Sequence, residues 1–324
     1  MHITPELNER LVRVGPGTPM GEVFRRYWVP ACLSEEIAEP DSPPIRVRIL
    51  GEDLVAFRDS SGEIGLVAAY CAHRLAPLFY GRNEECGLRC VYHGWKFDTQ
   101  GNCVDMPSEP PYSKFRLRVS IKAYPTYEAG KVVWTYMGPT REMPAPPNYE
   151  WLNCPPDYLR VSKSGEHCNW LQATEGGIDT AHSSFLHNHD LTAPGLRQRD
   201  PHPILEVDDQ DWGFTYGSLR NISDEQTFVR VYQFFMPAQS HLGTAINGAT
   251  GAPVKHPAVS GHVWVPIDDE NTWVYNRSYR LNEGDPYDAE EWPDTGERPG
   301  EGYRRIPGTI LARPQQVQRL LDRP

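Results

Sequence analysis

Two short stretches carry side chains that together can hold a redox metal centre. Cys71-Ala72-His73 and Cys90-Val91-Tyr92-His93 are separated by sixteen residues, and each mixes a soft thiolate sulfur with an imidazole nitrogen. At the tips of adjacent β-turns, such half-sites bring four ligands together, two thiolates on one iron and two imidazoles on the other. Neutral imidazoles in place of two thiolates leave a [2Fe–2S] cluster less negative and raise its reduction potential above that of an all-cysteine cluster. The competing reading is structural zinc, because two Cys and two His also suit tetrahedral Zn²⁺. Zinc-finger spacing groups the cysteines and then the histidines, whereas each half-site here is mixed, and Gly94-Trp95-Lys96-Phe97 and Gly101 fit the iron–sulfur loop. Cys86 and Cys103 lack half-site spacing and read as packing residues. Cys32, Cys154 and Cys168 read as small buried hydrophobes.

A second constellation follows at Asp179, His182 and His187, spaced Asp-x-x-His-x-x-x-x-His. The segment from Asn169 to His187 has helical character interrupted at Gly176-Gly177, and the two histidines approach one another if the helix continues or kinks between them. With one carboxylate they would form a facial triad for non-haem Fe(II), leaving open positions for dioxygen. Taken alone, such a pair also reads as two satisfied structural histidines. His167 and His189 flank the motif outside the ligand spacing.

Short strands must position the first constellation. Gly15-Pro16-Gly17-Thr18-Pro19 is a turn cluster, and Met20 to Tyr27 reads as a short helix with Thr18 as N-cap and Pro19 in its first turn. Ile45, Val47 and Ile49 alternate with Arg46 and Arg48 as a half-buried strand does, and turns at Gly51-Glu52-Asp53 and Asp59-Ser60-Ser61-Gly62 separate it from Leu54–Phe57 and Ile64–Ala69. This is an antiparallel all-β module up to about residue 140. Pro144, Pro146 and Pro147 mark a linker. Strand-like runs return at Trp212–Leu219, Thr227–Phe235, Ser260–Pro266 and Thr272–Tyr279, and the Asp-, Glu-, Gly- and Pro-rich segment Asn282–Gly302 reads as mobile. Division near residue 145 gives two domains, 1–145 and 146–324.

Of 324 residues, 39% are hydrophobic and 11% aromatic, enough for two cores and against global disorder. A net charge of −11 without a basic cluster disfavours nucleic acid. No secretory signal opens the chain and no run approaches the length of a membrane span, so the expectation is a cytoplasmic protein without a membrane partner. Seven cysteines without a signal peptide argue for reduced thiols.

The stretches Cys71-Ala72-His73-Arg74, Gly81-Arg82-Asn83-Glu84-Glu85 and Gly87-Leu88-Arg89-Cys90-Val91-Tyr92-His93-Gly94-Trp95-Lys96-Phe97-Asp98 closely resemble the Rieske ring-hydroxylating oxygenases. Arg26-Tyr27-Trp28-Val29-Pro30-Ala31, Gly51-Glu52-Asp53-Leu54-Val55-Ala56-Phe57-Arg58 and Asp105-Met106-Pro107-Ser108-Glu109 strengthen the likeness, which is nearest to oxygenase (alpha) components of the phthalate 4,5-dioxygenase type. One departure is Leu75, where the family usually has a small residue. The resemblance runs to about Glu283 and then fades.

The resemblance implies an α+β protein, an N-terminal all-β Rieske [2Fe–2S] domain followed by a helix-grip catalytic domain with an antiparallel sheet. It implies two cofactors, the cluster on Cys71, His73, Cys90 and His93 and a mononuclear Fe(II) on His182 and His187. Asp179 would bridge the mononuclear-site histidine to the cluster histidine of a neighbouring subunit, the counterpart of His93. The family's third ligand is a carboxylate well downstream. Asp322 is the only late candidate, and the expectation is a chain truncated relative to the family. Electrons would come from NADH through a separate flavin and iron–sulfur reductase, which agrees with the absence here of Gly-x-Gly-x-x-Gly after a strand. The partners would be O₂, a small aromatic substrate and identical subunits in a ring, a homotrimer or a multiple of it. An aromatic carboxylate wants an arginine clamp in an apolar pocket, for which Arg220, Arg197 and Arg199 are candidates against the plainer reading of surface arginines. Monooxygenation or O-demethylation is the rival chemistry to dihydroxylation. A cluster-only electron carrier and an iron-free ligand-binding module are the rival classes.

Overall fold

The computed structural model describes residues 3–186, 200–247 and 250–288. Among them the chain forms two compact units, one running to Leu152 and including Pro266–Asn271, the other built from Asn153–Val265 and the chain from Thr272 onward.

The first unit opens with helices α1 (Pro5–Val12) and α2 (Pro19–Arg25). Thr18 caps α2 as its position before Pro19 predicts, its side chain accepting from the Gly21 N–H. Ten short strands follow: β1 (Trp28–Leu33), β2 (Ile45–Ile49), β3 (Glu52–Arg58), β4 (Ile64–Ala68), β5 (Arg82–Asn83), β6 (Leu88–Arg89), β7 (Lys96–Phe97), β8 (Cys103–Asp105), β9 (Thr126–Ala129) and β10 (Val132–Tyr136). They form sheets ordered β1-β10-β9, β2-β3-β4 and β5-β6-β7-β8. Strand β2 is the period-two run seen in the sequence, with Val47 and Ile49 buried between exposed arginines. In β3 the unbroken run Leu54–Phe57 is buried on both faces. Val55, Phe57, Val67, Leu78, Leu88 and Phe97 pack into one core that also contains Cys71, Cys90 and Trp95, so the candidate ligand loops grow out of the core.

A buried ion pair pins α2 to this framework. Arg25, 5% exposed, donates to the carbonyls of Val14, Gly21 and Leu50 and to Glu52 at 2.8 Å. Lys122 and Tyr124 donate to the other oxygen of the same carboxylate. Burial works against the Glu52 charge, but these hydrogen bonds outweigh it and hold the carboxyl below its ordinary 4.5.

The second unit is a seven-stranded sheet with one helix on it. Its elements are β11 (Leu159–Glu166), α3 (Trp170–Ile178), β12 (Ile204–Gln210), β13 (Gly213–Ser223), β14 (Gln226–Phe235), β15 (Gln239–Ile246), β16 (Pro253–Pro266) and β17 (Thr272–Arg280). The order β11-β17-β16-β15-β14-β13-β12 joins the unit's first strand to its last. Helix α3 lies close on the sheet at Gly177, where a Cβ would run into the Trp264 indole.

Two expectations change. The helical reading of Asn169–His187 is corrected, because α3 stops at Ile178 and His182–Ser184 form a separate 3-10 turn. The Asp179 side chain accepts from the N–H groups of Ala181 and His182, offering the backbone an alternative to helix. The start of the segment read as mobile is anchored. Asp285 pairs with His256 at 2.6 Å, Tyr287 Oη bonds Ser278 Oγ, and Gly284 N–H donates to Tyr158 Oη.

Arg25→Met should destabilise the first unit by roughly 3–5 kcal/mol, toward the lower figure because Lys122 and Tyr124 still reach Glu52. Because the Glu52 carboxyl is depressed, its contribution is complete above 4.5 and is lost as pH falls through the folded value. Glu52→Gln should therefore flatten the acid limb of a thermal-stability profile, and an unchanged acid limb would refute the assignment.

Candidate metal centres

The two half-sites fold into matching loops. In one, Cys71 N–H donates to Ala76 O and Leu75 N–H returns to Cys71 O. In the other, Cys90 N–H donates to Trp95 O and Gly94 N–H returns to Cys90 O. The fifth residue of each loop is left-handed, Leu75 at φ 55° and Gly94 at φ 76°. Glycine takes this conformation without strain, whereas the Leu75 side chain, 72% exposed, does not.

The loops bring the four donors together as two pairs. Cys71 and Cys90 are buried side by side, and burial, opposed by backbone N–H groups and reinforced by Cys90, pushes the Cys71 thiol up to about 11. The His73 and His93 rings lie 4.5 Å apart between centroids, and His73 stacks on Trp95 at 4.6 Å. Nδ1 of both histidines is buried and has no hydrogen-bond partner among the described residues. Burial and the charges of His93 and Arg74 lower the His73 pKa, which favours the neutral, ligating form. Cys71, His73, Cys90, His93 and Trp95 line one narrow crevice between the two loops. Among the described residues no three His, Cys, Asp or Glu side chains converge on one point. A binuclear cluster needs one pair of donors at each iron. The donor set and its two orphaned nitrogens thus fit a [2Fe–2S] group.

Sequence reasoning missed the supports of these loops. Arg89 donates to Gly94 O at 2.8 Å, to Asp105 at 2.7 Å and to Glu84 at 2.6 Å, tying the second loop to β8. Both carboxylates sit below their ordinary values, Asp105 and Glu84 each chiefly through the Arg89 hydrogen bond. The Trp95 indole N–H donates to Ser108 Oγ, fixing the ring that stacks on His73. Both lie inside a stretch noted only as a motif, where an Arg opposite Lys96 between two short strands was the available signal. Cys103 is buried as expected. Cys86, read as a packing residue, is exposed on a turn with left-handed Glu85 and Cys86.

In the second unit Asp179 follows α3 and its carboxylate meets His182 Nδ1 at 2.9 Å. Burial opposes the charge, but the Ala181 and His182 N–H groups and the His182 ring prevail and lower the carboxyl pKa. With Nδ1 committed to Asp179, Nε2 is the His182 nitrogen left to ligate a metal. His187, Arg197, Arg199 and Asp322 lie outside the described residues. Arg220, a candidate substrate clamp from the sequence, is fully buried and donates to Ser218 Oγ at 2.8 Å and Thr180 O at 2.8 Å. An unforeseen group on the sheet is His262, two residues from Trp264 and so on the same face. Its Nδ1 lies 2.7 Å from Asn276 Oδ1, and burial lowers its pKa, so it stays neutral.

Two known domain families match successive parts of the chain. Residues 27–125 match the Rieske [2Fe-2S] domain, and residues 135–295 match the LigXa C-terminal domain like family. The chain is 40% identical over 309 residues to the phthalate 4,5-dioxygenase oxygenase subunit of Pseudomonas putida, covering 90% of this chain and 67% of that protein. It is 39% identical over 303 residues to the 5,5'-dehydrodivanillate O-demethylase oxygenase subunit of Sphingobium sp., covering 90% and 67%. It therefore spans about two thirds of the length of these relatives. Its fold is similar to that of dicamba monooxygenase bound to 3,6-dichlorosalicylic acid, with TM-score 0.66 at 20% identity over 81% of this chain and 79% of that one. No helix among the described residues is long and apolar enough to cross a membrane.

Leu75→Gly should stabilise the first unit by up to about 1 kcal/mol, left-handed strain of roughly 1–2 kcal/mol being partly offset by the freer unfolded chain. Gly94→Ala should do the reverse, since its Cβ would also stand 2.6 Å from Pro107 Cγ, and should shed the cluster sooner in chelator. Urea unfolding and visible absorbance read both changes. Equal stability of Leu75→Gly and the parent would refute the strain.

Proposed function

The chain belongs to the Rieske non-haem iron oxygenases, and on that premise we propose that it is the terminal oxygenase component of a multicomponent system acting on a small aromatic substrate. The family's cofactors are a Rieske [2Fe–2S] cluster and a mononuclear non-haem iron. Cys71 and Cys90 would hold one iron of the cluster and the Nδ1 atoms of His73 and His93 would hold the other. The observation that carries this reading is the pair of buried, unpartnered Nδ1 atoms beside two buried thiols. His182, through Nε2, and His187 would take the mononuclear iron, with one carboxylate of a facial triad still to be supplied. When bound, the cluster supplies single electrons and the iron supplies reductive activation of O₂.

The protein's own groups hold and orient these centres. Asp179 fixes the His182 tautomer and ring direction. In the assembly, a ring of three identical subunits or a multiple of it, the same carboxylate reaches His93 of the partner subunit. Trp95 holds the plane of His73. Electrons come from a separate NADH-dependent flavin and iron–sulfur reductase in the cytoplasm. A phthalate-like aromatic carboxylate is the favoured substrate, supported by the 40% identical phthalate 4,5-dioxygenase subunit. O-demethylation is the second reading, supported by the 39% identical O-demethylase subunit.

Anaerobically purified protein reduced with dithionite should give a Rieske EPR signal with about three irons per chain. With a reductase and NADH, phthalate should stimulate O₂ uptake and yield a cis-diol, whereas methoxylated aromatics yielding formaldehyde would favour the second reading. A cluster signal with about two irons and no substrate-dependent O₂ uptake would defeat both.

A further inference from the structure

Asp179 and His182 lie between the last hydrogen bond of α3, Asp179 N–H to Glu175 O, and a single 3-10 turn, so side chains around them help hold their direction. The carbonyls that bracket Asp179 are both seized by side chains from the sheet. Ile178 O accepts from Tyr216 Oη at 2.6 Å. Thr180 O accepts from Arg220 Nη2 at 2.8 Å and from Ser183 Oγ at 2.7 Å. The Thr180 hydroxyl meets Tyr232 Oη at 3.0 Å and Ser218 Oγ at 3.3 Å, and Arg220 Nη1 donates to Ser218 Oγ at 2.8 Å.

These sheet residues form one device. Tyr216, Ser218 and Arg220 alternate along β13 and so share a face. Tyr232 stands opposite Tyr216 in the β13–β14 register, the two rings stacked at 4.6 Å and 5°. Burial raises the Tyr216 pKa, which keeps its hydroxyl protonated as a donor to Ile178. Arg220 has no exposed surface, and its planar fork meets the Thr180 carbonyl and the Ser218 hydroxyl at once. A flexible ammonium would not reproduce that geometry.

We propose that Arg220, with Tyr216 and Tyr232, is a positioning clamp on the Asp179–His182 turn, setting the direction from which His182 reaches its metal, and that Arg220 does not bind substrate. The proposal rests on the iron-site reading above. Groups that orient a metal ligand typically change metal affinity by about 10–100-fold when removed.

The test uses the full chain with its cluster in place and the mononuclear site stripped of iron, titrated anaerobically with Co(II) and followed by its visible ligand-field bands. The parent should bind one Co(II), and His182→Ala should abolish it. A parent that binds none would overturn the iron-site reading and this proposal with it. Arg220→Met and Tyr216→Phe should each weaken Co(II) by about 10–100-fold and shift the bands, with the Rieske EPR signal unchanged. Arg220→Lys should recover part of the affinity. If Arg220→Met does not fold, Tyr216→Phe decides, since it removes one hydroxyl and keeps the ring stack. Parental Co(II) affinity and bands in Tyr216→Phe, or in a folded Arg220→Met, would overturn the clamp while leaving the iron site standing. Weakened binding of an aromatic carboxylate with unaltered Co(II) binding in Arg220→Met would return that residue to the substrate.

Discussion

Burying an imidazole nitrogen without a partner costs roughly 1–3 kcal/mol, and the first unit does this twice within a few ångströms, at His73 and His93. Beside them it buries two thiols at less than 4% exposure. Polypeptide contacts do not compensate for this arrangement, and bonds to metal do. Much else in the unit follows from holding that uncompensated group in shape. The loops close on themselves by reciprocal backbone hydrogen bonds, Trp95 backs His73, and Arg89 ties the second loop to two carboxylates. The cysteines are also members of the hydrophobic core, so ligand position and core packing are one constraint.

The second unit meets a similar demand by different means. Its candidate ligand turn has little regular structure of its own, because Asp179 takes the backbone N–H groups that a continuing helix would have used. The same carboxylate engages His182 Nδ1, so helix termination and ligand orientation are one event. Precision at the turn comes from the sheet, whose tyrosines and arginine take hold of the carbonyls on either side. A loop site acquires the rigidity of strands in this way.

Legibility in the sequence differed between the two units for a physical reason. The strand Ile45–Ile49, the Thr18 cap and the half-site spacings depend on contacts within a few residues, where side-chain type and period are informative. In the second unit strands β11, β12 and β15 are absent from the runs expected from the sequence. Every residue of β12 is exposed and β15 has mixed burial, so neither has a sustained apolar period. The interruption expected at Gly176-Gly177 falls instead after Ile178, because propensity and spacing do not reveal a side chain competing for backbone donors. The surroundings of Arg220 are hidden from the sequence for a related reason. An arginine in a polar strand reads as exposed, and only the fold shows Thr180 and Ser218 waiting for it.

The sequence by itself determined the donor types, their mixed spacing and the period of the strands around them, because ligand chemistry and local backbone geometry are written residue by residue. Tertiary structure alone decided how closely the two imidazoles stand and that their Nδ1 atoms are buried without partners, that Leu75 occupies a glycine-like conformation, and that a strand 40 residues further on holds the Asp179 turn. These depend on which distant segments pack together. That packing follows from burial summed over a whole core and is encoded in no single stretch of chain.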